Sequence, residues 1–215
     1  LKKTIYIFSG LGADERIFKN IDFSNFNPIH IQWEEVSKGE SIEEYARKTI
    51  QHQIHEQSPI LLGVSFGGML AIEVAKQISF DKVVIISSIK TSNELPFYLK
   101  GIGKTSLNKT IPDFFLRHTN TFIYHLFGTK TKEEKLLLKN IMLETDEKFL
   151  RWAIGIVLSW KNQVVPKGLI HMHGDKDKLF PINYIQEKTT IKGGGHFMVF
   201  SKAKEISTLL NQVLS

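Results

Sequence analysis

Eight residues, Leu61-Leu62-Gly63-Val64-Ser65-Phe66-Gly67-Gly68, restrict what this chain can fold into more than any other stretch. An apolar run from Pro59 to Val64 passes directly into a serine flanked by glycines, and Met69-Leu70-Ala71-Ile72-Glu73-Val74-Ala75 behind it reads as a helix. Ser65 therefore stands on a sharp turn between a strand and a helix, the context in which a G-x-S-x-G pattern carries chemical meaning. The reason is steric. A side chain held out on such a turn presses its neighbours against the adjoining strand and helix, and Gly63 and Gly67 have no Cβ to clash there. The bland alternative is a tight turn between buried elements; the strand–turn–helix context favours a nucleophile.

The rest of the chain supplies the frame. Apolar or alternating runs at 4–8, 27–33, 59–64, 82–87, 168–173 and 188–191 predict six strands, the last weak and at an edge. Lys82 to Ser87 is almost entirely β-branched, as befits a strand buried on both faces. Ser41 opens a helix with Glu44 completing a capping box, and Ile42, Tyr45, Ala46, Thr49, Ile50 and Ile54 lie on one side of it. Ile206, Leu209, Leu210, Val213 and Leu214 mark an amphipathic C-terminal helix. Strands alternating with helices imply an α/β fold: a mostly parallel sheet of about six strands with helices on both faces and the active site at the strands' carboxyl ends.

Residues 88–164 break the alternation. No convincing strand occurs there, only helix-like pieces at 112–127, 132–143 and 146–160. An insertion leaving a strand's carboxyl end overhangs the active-site edge, so this segment is expected to be a helical lid on a core made of 1–87 and 165–215. It is rich in aromatics (Phe97, Tyr98, Phe114, Phe115, Phe122, Tyr124, Phe127, Phe149, Trp152 and Trp160), most of them expected to pack the lid down and some to line an apolar pocket near Ser65. The segment also holds twelve Lys/Arg against seven Asp/Glu, nearly all of the chain's net charge of +6. Lys90, Lys100, Lys104, Lys109, Arg117 and Lys130 lead this surplus. Two explanations stay open: an ordinary solvated helical surface, or steering of an anionic acyl substrate such as a coenzyme A thioester, an acidic carrier protein or an anionic lipid. Gly101-Ile102-Gly103-Lys104-Thr105 is not a phosphate loop, because Tyr98 stands where that motif needs glycine and no strand precedes it.

Composition narrows the chemistry. At 215 residues the chain is one domain with an insertion, and 42% hydrophobic with 23% charged residues describes an ordinary globular protein. No apolar run approaches a membrane span, and the start reads as a strand rather than a secretory signal. Leu1 in place of methionine is consistent with removal of an upstream segment. With no cysteine there can be no disulfide, metal thiolate or Cys nucleophile, which fits the cytoplasm. Neither a metal, a cofactor nor a nucleic-acid partner is expected.

A serine hydroxyl needs a base, and the base needs a third group to orient it. His196 follows Gly193-Gly194-Gly195 just after the last expected strand, where glycines let a loop carry a histidine over the sheet edge. The other seven histidines lie on expected helices, in the lid, or in and just beyond strands. For the acid, His173-Gly174-Asp175-Lys176-Asp177 at the end of the fifth strand offers two aspartates, and either could be a turn residue bonded to its own backbone.

Nucleophile, acid and histidine in that order, each at a strand's end, resemble the α/β-hydrolase fold family across most of the chain outside the insertion. The family's acid occurs as G-x-x-D-x-x-x-P. That pattern matches Gly174, Asp177 and Pro181, so the resemblance implies Asp177. It also implies an oxyanion hole of two backbone N–H groups: Phe66, directly after the nucleophile, and Leu11 in the loop after the first strand. That loop reads Ser9-Gly10-Leu11 here, with serine where relatives often carry histidine. The family's two leading strands are missing, so the sheet should be a reduced one. The function implied is hydrolysis of a carboxylic ester or thioester with an apolar acyl portion through an acyl-enzyme. Ser65, Asp177 and His196 would be the triad and a small-molecule acyl compound the partner. A lyase or C–C bond hydrolase, an acyltransferase and a non-catalytic binding protein are the alternatives.

Overall fold

The computed structural model of the chain describes residues 2–104 and 119–214. Its strands are β1 (Lys3–Phe8), β2 (Phe26–His30), β3 (Ile60–Val64), β4 (Lys82–Ile86), β5 (Ile170–Gly174) and β6 (Thr189–Ile191). They form one sheet in the order β2-β1-β3-β4-β5-β6, and every pairing is parallel. Helices α1 (Ile42–Gln53) and α2 (Phe66–Ala75) cover one face, where Tyr6, Phe8, Leu61, Val83 and Ile85 meet Tyr45, Met69 and Leu70. The other face, with Ile5, Ile7, Leu62, Val84 and Met172, is covered by a 3-10 turn (Glu15–Phe18), α7 (Met198–Ser201) and α8 (Ala203–Leu214). Burial on both faces explains why β3 and β4 are continuous apolar runs.

Local chemistry sets the helix starts. Ser41 Oγ accepts from the Glu44 N–H while the Glu44 carboxylate accepts from the Ser41 N–H, the capping box expected for α1. Thr131 and Glu134 repeat the device on the helix Lys132–Glu144. Between β4 and β5 the described residues form α3 (Phe97–Lys104), α4 (Thr121–Phe127), α5 (Lys132–Glu144) and α6 (Glu147–Ser159), with no strand among them. This segment is knitted into the body of the protein. Phe149, Ala153 and Trp160 belong to the same apolar cluster as α1 and α2, and the Trp160 indole N–H donates to the buried Glu73 carboxylate at 2.8 Å. Lys76 Nζ, 2.7 Å from the other Glu73 oxygen, completes the pairing that a buried charge requires.

Several expectations shift. β2 ends at His30 instead of running to Trp33. It is an edge strand containing Pro28 and paired only with β1, and after the Ile31 N–H bonds to the Ile7 carbonyl the chain turns inward. β6 is shorter than 188–191 and lies at the opposite edge. Helix α3 was not expected; it contains the Gly101-Ile102-Gly103-Lys104 stretch as helix. Of the helix expected at 112–127, Thr121–Phe127 is helical with Asn120 as its N-cap, and 112–118 lies outside the described residues, as do Phe114, Phe115, Lys109 and Arg117. Lys90 is not a surface charge. It is buried, 3.4 Å from Glu94, and donates to the Gln186 and Glu187 carbonyls.

Two glycines give a contrast that can be measured. A Cβ at Gly67 would collide with the Phe8 and Ser9 carbonyls, whereas one at Gly101 in α3 would meet nothing within 4 Å. Urea denaturation should show Gly67→Ala losing about 3 kcal/mol or more, or failing to fold, and Gly101→Ala gaining up to about 1 kcal/mol. Equal effects would contradict this packing of the turn.

Candidate active site

The three expected residues come together at the carboxyl ends of β3, β5 and β6. Ser65 follows β3 with φ 54° and ψ −120°, a left-handed conformation strained for any residue with a Cβ. The turn is held on all sides. The Ser65 N–H donates to the Ile86 carbonyl at 2.9 Å, while the Ser65 carbonyl accepts from the Gly68 N–H at 3.0 Å and from Ser88 Oγ at 2.6 Å. Gly63 admits the first turn of α2, because a Cβ there would collide with Gly67 and Gly68.

Ser65 Oγ lies 2.8 Å from His196 Nε2, and His196 Nδ1 lies 2.8 Å from Asp177 Oδ2. A carboxylate only accepts, so Nδ1 carries the proton and Nε2 presents its lone pair to the serine hydroxyl. Asp177 Oδ1 accepts from the Leu179 and Phe180 N–H groups, each at 2.9 Å, which fixes the carboxylate plane. Asp175 does something different. Its Oδ1 accepts from the Gly193 N–H at 2.6 Å, fastening the glycine loop that carries His196. The ring of His196 is wedged edge-on between Phe127 and Phe180, with centroids 5.3 and 5.5 Å away.

The loop after β1 lies against the serine: a Cβ on Gly10 would stand 3.7 Å from Ser65 Cβ. Among the described residues, the Leu11 and Phe66 N–H groups have no acceptor, and Phe66 begins α2, where the helix dipole favours negative charge. Ser9, the residue that departs from the family pattern, donates its hydroxyl to the Ala13 carbonyl and so braces this loop from within. The Trp33 indole N–H donates to that carbonyl too, at 2.9 Å, and the Trp33 ring packs 5.7 Å from Phe66 and 4.8 Å from Phe149 of α6.

Behind Asp177 lie two further buried histidines. His173 Nε2 donates to the Phe180 carbonyl at 2.8 Å and stands 3.6 Å from Asp177 Oδ2; its Nδ1 is 3.2 Å from His171 Nε2. Burial pushes both imidazoles below their usual range, His171 well below, with the neighbouring His173 adding to the effect there. Both are therefore neutral, and the proton pattern runs from His171 Nε2–H to His173 Nδ1 and from His173 Nε2–H to Phe180. His173 thus pins the turn that presents Asp177.

A cavity of about 290 Å³ opens on Ser65 and His196. Of the expected lid aromatics, Phe127 is on its wall, whereas Phe97 and Phe122 point to solvent at 73% and 67% exposure and Phe149 and Trp160 are core. Among the described residues no cluster of three or more His, Asp or Glu could hold a metal ion, and no helix is long and apolar enough to cross a membrane.

No protein-family model and no curated protein matches the chain by sequence. Solved structures do. A bromoperoxidase from Bacillus anthracis superposes with a TM-score of 0.73 at 19% identity, covering 100% of this chain and 92% of that one. An esterase from Exiguobacterium antarcticum gives 0.71 at 16%, covering 99% and 92%. The 2-hydroxy-6-oxo-6-phenylhexa-2,4-dienoate hydrolase of Rhodococcus sp. strain RHA1 gives 0.69 at 14%, covering 99% and 90%. This chain has the α/β-hydrolase fold. In this α/β-hydrolase fold the sheet has six strands, the reduced number expected. Three neighbours of the site were not singled out from sequence: Ser88, Trp33 and His173. Only His173 had a visible signal, a histidine two residues from another in one strand and four before an aspartate.

The buried pair carries a pH signature. The unfolded chain protonates His171 near pH 6.5, but the folded chain holds its pKa lower. Its stability contribution is therefore present above pH 6.5 and lost as pH falls below it, with a slope of up to about 1.4 kcal/mol per pH unit per proton. His171→Gln, which keeps a donor for His173, should flatten the acid limb of a stability–pH curve between 6.5 and 5 by about one proton. An unchanged limb would show that His171 is not held neutral.

Proposed function

We propose that the chain is a serine hydrolase that cleaves a carboxylic ester or thioester with an apolar acyl portion. The observation that carries this reading is the unbroken run Ser65 Oγ–His196 Nε2 and His196 Nδ1–Asp177 Oδ2, both 2.8 Å, facing an apolar cavity. Ser65 Oγ adds to the carbonyl carbon as its proton passes to His196 Nε2, and Asp177 stabilises the imidazolium. The carbonyl oxygen, now an oxyanion, is received by the Leu11 and Phe66 N–H groups. The C–O or C–S bond breaks and the leaving group takes the proton from His196. Water then repeats the sequence on the acyl-enzyme, releasing the acid and restoring Ser65. Asp175 serves the His196 loop rather than the reaction.

Residues 88–164 act in this reading as a helical lid over a core of 1–87 and 165–215, since Leu99, Ile123, Phe127, Met142 and Ile154 from its described helices all border the cavity. The esterase among the similar structures supports hydrolysis of esters, and the dienoate hydrolase and the bromoperoxidase are other activities named on this fold.

The variants Ser65→Ala, Asp177→Asn and Asp175→Asn separate the roles. Initial rates on a short-chain ester should fall to a residual level in Ser65→Ala and about ten-thousandfold in Asp177→Asn, with melting temperatures near wild type. Asp175→Asn should cost much less in rate. Undiminished turnover in Ser65→Ala, or the opposite ranking of the aspartates, would overturn the assignment.

A further inference from the structure

An oxyanion gains only from donors already in place when it forms, and a donor displaced by about 1 Å forfeits up to about a hundredfold in rate. Of the two assigned here, the Phe66 N–H is fixed by its helix, whereas the Leu11 N–H lies in a loop. That loop is a tight turn. The Gly10 carbonyl accepts from the Ala13 N–H at 2.9 Å, and Gly12, third of the four residues, takes the φ of 64° that such a turn reserves for glycine. The Leu11 N–H takes no part in the turn's own hydrogen bond. What aims it is the grip on Ala13. The Ala13 carbonyl accepts from Ser9 Oγ, which precedes the turn, and from the Trp33 indole N–H at 2.9 Å, which arrives from beyond β2. Ala13 is buried, and among the described residues its carbonyl has these two donors. The same two residues also reach the other half of the hole. The Trp33 ring packs 5.7 Å from Phe66, and a Cβ on Gly67 would collide with the Ser9 carbonyl, so the first turn of α2 rests on the Ser9 backbone.

We propose that Ser9 and Trp33 are a positioning pair for the oxyanion hole, sharing the Ala13 carbonyl and holding the Leu11 N–H in register with the Phe66 N–H. This rests on the serine-hydrolase reading above. Neither side chain borders the cavity, so both act through the turn and not on the substrate. Their roles overlap. While either donor remains, the buried carbonyl keeps a partner and the turn keeps its place. With both removed, the carbonyl is a buried acceptor without a donor, and the turn shifts to find one. The loss then appears in the transition state, where the oxyanion exists, and not in ground-state binding of the substrate.

The test compares Ser9→Ala, Trp33→Phe and the double variant on ethyl butanoate. Trp33→Phe keeps a ring beside Phe66 and Phe149 and removes the N–H. Each single variant should lose about threefold in kcat and the double about a hundredfold, well beyond the roughly tenfold product, with KM within about twofold throughout. A second readout needs no turnover. With butyl trifluoromethyl ketone, Ser65 Oγ bonds to the carbonyl carbon, the hydroxyl proton passes to His196 Nε2, and the carbonyl oxygen becomes an oxyanion in the hole. Butyl methyl ketone, far less electrophilic, binds the cavity unchanged. The double variant should weaken inhibition by the first ketone in step with kcat/KM and leave the second alone. A double variant that fails to fold moves this comparison to the single variants, where the first ketone should weaken by about threefold. Losses that simply multiply, a loss carried by KM, or an equal response of the two ketones would overturn the proposal. Each of those results leaves wild-type turnover and fluorophosphonate labelling of Ser65 in place, so the hydrolase reading survives them. A wild-type chain that neither labels nor hydrolyses an ester defeats both.

Discussion

The structure depends on how closely the backbone can approach Ser65. A residue with a Cβ is held there at φ 54°, at a cost of about 1–3 kcal/mol that the surroundings must offset. They do so by crowding. Gly63 lets α2 start directly against β3, and Gly67 lets it lie on the end of β1, so the serine is pinned between two parallel strands and a helix N-terminus. Ser88, just past β4, ties the Ser65 carbonyl from the third side. The strain is local and the restraint comes from the central strands, the most deeply buried part of the sheet.

Everything else at the site is brought to that point by loops stitched to each other. The acid turn and the histidine loop are joined by Asp175 to Gly193 and by the Lys176 N–H to the Gly194 carbonyl. The histidine loop in turn meets α4, where the Phe197 N–H donates to the Phe127 carbonyl. On the other side, Trp33 links the Ala13 carbonyl, the Phe66 ring and Phe149, so the two N–H groups assigned to the oxyanion share one aromatic support with α6. α6 is therefore part of the packing that shapes the cavity.

How much of this could be read from sequence follows from whether the signal is local. β3 and β4, covered on both faces, appear as apolar runs, and the α1 cap appears as serine and glutamate three apart; both signals lie within a few residues. Edge strand β2 has a one-sided and weak pattern, so its end at His30 was not readable, nor was the inward turn that brings Trp33 to the site. Ser88 and Trp33 act on residues 23 and 20 positions away, a distance that no periodicity encodes. Residue type alone left Asp175 and Asp177 level, and the family pattern through Gly174 and Pro181 pointed to Asp177 without a physical reason. What parts them is that Asp177 has Leu179 and Phe180 N–H groups on one oxygen and His196 on the other, and Asp175 faces Gly193 instead. Lys90 read as surface charge because composition carries no depth; Glu94 one turn on and two carbonyls from 186–187 hold it inside.

Peptide mapping after reaction with a fluorophosphonate tests the central claim most directly, because it reads the nucleophile and its base in one experiment without knowledge of the substrate. The account predicts a single adduct, on Ser65, whose rate of formation falls by at least about a hundredfold when His196 is replaced by glutamine. An adduct on another residue, or labelling of Ser65 at an undiminished rate without His196, would contradict it.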